Sequence, residues 1–67
     1  MSLFDYEASK ELAAQDRPFA ALIMAAVRKA DSHNEALLRQ AFPDICDELR
    51  QRYDAPGGLL PGEWGYQ

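Results

Sequence analysis

The sequence predicts an all-α fold: a compact bundle of about four short helices with an extended Pro/Gly-rich C-terminal tail. Three observations carry this expectation. One Val, two Ile and no Thr leave almost nothing from which to build strands. All four glycines (Gly57, Gly58, Gly62, Gly65) and two of the four prolines (Pro56, Pro61) follow Asp54, which divides the chain into a helical mini-domain, residues 1–54, and a tail, residues 55–67. Within the body, Asp16-Arg17-Pro18 and Phe42-Pro43 interrupt periodic apolar patterns. The residue before a proline is pushed out of the α region, while proline itself suits a helix's first turn.

The first helix is expected from about Phe4 to Gln15, capped by Ser2 or Asp5, with Phe4, Ala8 and Leu12 forming a narrow apolar stripe at i, i+4 and i+8. The second runs from Pro18 to about Ala30. Its residues 19–27 are unbroken apolar, and a helix apolar all round is a buried one, so this is the expected central helix. Ser32 and Glu35 have the spacing of a capping box: the Ser32 hydroxyl accepts from the Glu35 N–H, and the Glu35 carboxylate reaches back to the Ser32 N–H. That box starts a third helix through Phe42, with Leu37, Leu38 and Ala41 inward. Pro43 begins a fourth, to about Tyr53, with Phe42, Ile45, Cys46, Leu49 and Tyr53 forming one stripe. The expected core centres on Phe19, Leu22, Ile23, Ala26 and Val27. Leu12, Leu37, Leu38, Phe42, Ile45, Leu49 and Tyr53 close it.

Composition excludes several function classes. A single cysteine forms no internal disulfide, and no apolar run approaches the roughly 18 residues of a membrane span. No signal peptide is expected. The formal charge of −4 argues against direct nucleic-acid binding, which needs clustered Lys and Arg to neutralise phosphates. Nucleophilic catalysis would need a histidine beside Cys46 or a serine. The one histidine, His33, lies on another expected helix, and Cys46 sits on an apolar stripe as a structural thiol would. No spacing matches a zinc or calcium pattern, and no glycine-rich loop precedes a helix to cradle phosphate. The chain is therefore expected to be non-enzymatic, with no cofactor and no metal.

The charge distribution points toward a protein partner. Residues 1–16 carry −3, residues 17–42 carry +2, and residues 43–67 carry −3. Asp44, Asp47, Glu48 and Asp54, with Glu7 and Glu11, are candidates for an acidic face aimed at a basic partner. The competing explanation is local. Asp44 and Asp47 favour a helix N-terminus, and Glu48–Arg52 and Glu35–Arg39 are well-oriented i, i+4 pairs. In the tail, Leu59, Leu60, Trp64 and Tyr66 are candidate partner-binding residues, because aromatic anchors dominate binding hot spots. Leu59 and Leu60 serve equally well to fold back and cover the helices, whereas Trp64 and Tyr66 are expected exposed for partner contact. Self-association into a homo-oligomer is a second expectation, since Ala20, Ala21, Met24 and Ala25 leave a further apolar face on the second helix.

The strings ALIMAAVRKAD (21–31) and LLRQAFPDICDELRQRYDAPGGLLPGE (37–63) resemble small helical proteins encoded by phages and prophages. The likeness is general, spans most of the chain and carries over no site residue. It implies an accessory protein of phage type acting in the bacterial cytoplasm. Small acidic phage proteins include inhibitors of host defence complexes, anti-CRISPR proteins among them. A helix-turn-helix DNA binder is disfavoured, because Asp44, Asp47 and Glu48 give the fourth helix a poor charge for a recognition helix.

Overall fold

In the computed structural model, residues 1–63 are described. Four helices follow in order: α1, Leu3–Ala14; α2, Phe19–Lys29; α3, Ser32–Ala41; and α4, Pro43–Asp54. A 3-10 turn, Pro56–Gly58, completes the described elements, with no strand among them. The all-α expectation and the four-helix count are both observed, each boundary falling within one residue of its punctuating proline or cap.

Local chemistry fixes the ends. Ser2 caps α1 in a reciprocal box: the Asp5 N–H donates to the Ser2 hydroxyl (3.3 Å), and the Ser2 N–H donates to the Asp5 carboxylate (2.9 Å). Asp16, at φ +54°, ends α1 in the left-handed conformation that short polar side chains tolerate better than most. The cap of α3 differs from expectation. Asp31, not Ser32, is the N-cap, its carboxylate accepting from the Asn34 N–H at 2.8 Å. Ser32 becomes the first helical residue. Glu35 turns away from it to take the Arg39 guanidinium at 3.0 Å. Both residues suit the position by type; Asp31 wins because a carboxylate also meets the positive end of the helix. Phe42 closes α3 and opens α4 at once, with Pro43 at the first position of α4.

α2 packs on both α3 and α4, which also pack on each other, and the 3-10 turn returns onto α4. The Phe19 and Phe42 rings meet edge to face, 5.7 Å between centroids, where α2 begins and α3 joins α4. Leu22, Ile23, Val27, Leu38, Phe42, Ile45 and Leu49 are half-buried. Cys46 alone is fully buried among the described residues.

The expected core is therefore thinner than the sequence suggests. Leu12, Phe19, Leu37 and Tyr53 are between 50% and 75% exposed, and Ala26 is exposed as well. Ala20, Ala21 and Ala25 also face solvent, so α2 is covered along one side only and is not the buried helix its composition predicts. The reason is numerical: two neighbours cannot wrap a helix that is apolar on all sides. α1 adds no cover, because none of its Cα atoms comes within 8 Å of another described element.

Candidate functional site

Successive residues of a helix are 100° apart, which places Asp54, Asp47, Asp44 and Glu48 within one arc of about 120° on α4. Gln51 is the only other residue in that arc. All five are exposed. The opposite side of α4, with Ile45, Cys46 and Leu49, faces α2 and α3, so the acidic arc points outward because the apolar stripe points in. From Asp44 to Asp54 the strip is about 15 Å long. Asp44 also lies in the first turn, at the positive end of the helix dipole.

Two arginines flank the arc, and one of them is engaged elsewhere. Arg52 extends to the tail, where Nη1 and Nη2 donate to the Glu63 carboxylate at 2.8 and 2.6 Å, and Nη1 also donates to the Gly58 carbonyl at 2.8 Å. Its expected partner Glu48 is present but looser, at 3.7 Å. Glu63 also accepts from the Leu60 N–H at 2.7 Å. The Arg52 guanidinium first, and then that N–H, hold the Glu63 carboxyl down to about 2. Gly57 and Gly58, at φ +63° and +70°, make the turn that brings the tail back. This bidentate clamp spans eleven residues and pins Leu59 and Leu60, both half-buried, against the body. Trp64 and Tyr66 lie outside the described residues.

Glu7 and Glu11 are not brought to the α4 arc. They sit on α1, where Glu7 pairs with Lys10 at 3.3 Å. His33 is exposed in the first turn of α3, whereas Cys46 is buried in α4. Among the described residues, no three His, Cys, Asp or Glu side chains gather as a metal site would need. No described helix is long and apolar enough to cross a membrane.

Beside the acidic arc, and meeting it at Asp54, an open cleft of about 500 Å³ lies between α2, α3 and α4. Val27, Leu49 and Tyr53 give it an apolar floor, and Arg28, Arg39 and Arg50 line it from three different helices. Arg28 stacks over Tyr53 at 5.9 Å and Arg39 is paired with Glu35, while Arg50 has no ion pair among the described residues. Sequence reasoning missed both the clamp and this cleft. The i, i+4 rule assigns Arg52 to Glu48 and so conceals its longer reach, and no spacing rule predicts which arginines of separate helices converge.

Comparison with known protein families, characterised proteins and solved structures returns no match for this chain.

Proposed function

We propose that the chain is a non-enzymatic protein-binding module whose α4 strip of Asp44, Asp47, Glu48 and Asp54 engages a basic surface of a partner protein. The observation that supports this reading is the arc itself: four exposed carboxylates along about 15 Å with no base among them, and, of the two arginines flanking it, Arg52 is drawn toward the tail. Such a strip presents a row of negative charge where a nucleic-acid-binding protein expects phosphates, and electrostatic complementarity of this kind sets on-rate and specificity. The finer reading is an inhibitor of anti-CRISPR type that blocks a nucleic-acid-binding host defence complex in the bacterial cytoplasm. That step rests on the general likeness to small phage and prophage proteins.

Capture from a bacterial lysate on the immobilised chain, with the bound proteins identified by mass spectrometry, tests it. Asp44→Asn/Asp47→Asn/Asp54→Asn should lose the partner while keeping the helical circular-dichroism signal. Affinity of the unaltered chain should fall steeply from low to high salt, as charge steering requires. Binding that is indifferent to salt and to the triple substitution would refute the acidic-strip reading.

A further inference from the structure

We infer that two copies of this chain associate by exchanging α1, each copy laying its first helix over the α2–α3–α4 cleft of the other. The starting observation is that α1 meets no other helix among the described residues. It carries Leu3, Phe4, Tyr6 and Leu12 to solvent, Phe4 78% and Leu12 52% exposed, and lies beyond 8 Å, Cα to Cα, from every other described element. A twelve-residue helix is marginal in water and draws most of its stability from packing, which no other described element gives α1.

Surface area supports a second copy as the occupant. A folded monomer of this mass exposes about 4,250 Å² on the usual size scaling. This chain exposes 5757 Å² and has a radius of gyration of 14.2 Å, where about 11 Å is typical for its length. The surplus over the whole chain is about 1,500 Å², which sets an upper bound of about 3,000 Å² on what two copies bury between them. That bound falls within the roughly 2,000–5,000 Å² of obligate homodimers and well above a transient contact. Exchange around a two-fold axis uses each excess surface once and leaves no open end, as a closed dimer requires.

Charge gives the exchange its direction. The Phe4–Ala8–Leu12 stripe of α1 is flanked by Glu11 on one side and Asp5 on the other, and residues 1–16 carry a net −3. The cleft offers a partial complement: Val27, Leu49 and Tyr53 are apolar, Arg39 is neutralised by Glu35, Asp54 sits at one edge, and Arg28 and Arg50 are the positive groups without an ion pair among the described residues. The stripe supplies side chains to the floor, and Glu11 of one copy faces Arg50 of the other. Asp16, Arg17 and Pro18 connect α1 to α2 with little helical continuity, leaving α1 free to leave its own body. Asp44, Asp47 and Glu48 stay outward on each copy, while Asp54 borders the covered cleft.

Sedimentation equilibrium of the full chain over a wide concentration range tests the inference. The expected result is a species of twice the 7.5 kDa chain mass that dissociates on dilution. Phe4→Asp/Leu12→Asp should yield a monomer that retains the α2–α4 helical signal. Because that variant risks unfolding, the exposed pair supplies a second route. Glu11→Arg and Arg50→Glu should each weaken dimerisation at least about tenfold at low salt, and combining them should restore it. A monomer at every concentration overturns the inference. So does a dimer that ignores both the α1 substitutions and the charge reversals.

Discussion

Asp31→Ala should destabilise the protein far more than Ser32→Ala, although the sequence gives Ser32 the capping-box spacing. The Asp31 carboxylate accepts from the Asn34 N–H at 2.8 Å, satisfying one of the orphan donors at the start of α3. Loss of such a cap costs about 1 kcal/mol, and loss of a carboxylate from the positive helix end adds a further 0.3–1 kcal/mol or so, giving about 1.5 kcal/mol together. Unfolding entropy near 2.1 cal/mol/K per residue converts this to a fall in Tm of about 10 °C for a chain of this size. Ser32 makes no side-chain hydrogen bond among the described residues and sits exposed at the first helical position. Its replacement by alanine should stay within about 0.5 kcal/mol of the parent, helped by alanine's helix propensity. Asp31→Asn separates the two contributions, since it keeps the acceptor and loses only the charge. Thermal melts followed by circular dichroism at low salt read all three. A Ser32→Ala melt that falls as far as that of Asp31→Ala would refute the assignment of the cap.

Three further outcomes are expected. Ile23→Ala, half-buried between helices, should cost about 2 kcal/mol in urea unfolding, the low end for core truncation, whereas Leu37→Ala, half exposed, should cost less than about 1 kcal/mol. Acid should release the tail. The folded Glu63 carboxyl, at about 2, lies below its unfolded value, so its contribution is complete above roughly pH 4.5 and is lost as pH falls toward 2. The Leu60 amide resonance, hydrogen-bonded to Glu63, should shift as pH falls through about 2, and Glu63→Gln should abolish the shift. Gly58→Ala forces a side chain into a backbone at φ +70° and should cost about 1 kcal/mol, read as faster hydrogen exchange of the Leu59 amide.

Much of the fold is legible in the sequence because its boundaries are set by strong local chemistry. Pro18, Pro43 and the Ser2 and Asp31 caps act within a few residues, and each of them marks an observed helix end. The choice between Asp31 and Ser32 was less accessible, since either side chain reaches an orphan N–H and one residue of register decides between them. The core was misjudged for a different reason. Periodicity tells which face of a helix is apolar but not whether anything arrives to cover it, and at Leu12, Phe19, Leu37 and Tyr53 little does. In the candidate site, the acidic arc follows from helical spacing alone. The Arg52–Glu63 clamp does not, because it depends on a two-glycine turn whose direction no pattern encodes.

Phe42 belongs to two helices at once, the last cap of α3 and the first of α4, so no slack separates them. The two helices form an elbow of fixed register. A residue inserted or removed at this joint would turn the whole of α4 by 100° about its axis. Leu49 and Cys46 would swing out of the interior, and the carboxylates would rotate off their present bearing together. Substitutions along α4 can therefore vary one position at a time, whereas a change of length at the elbow alters every one of them in a single step.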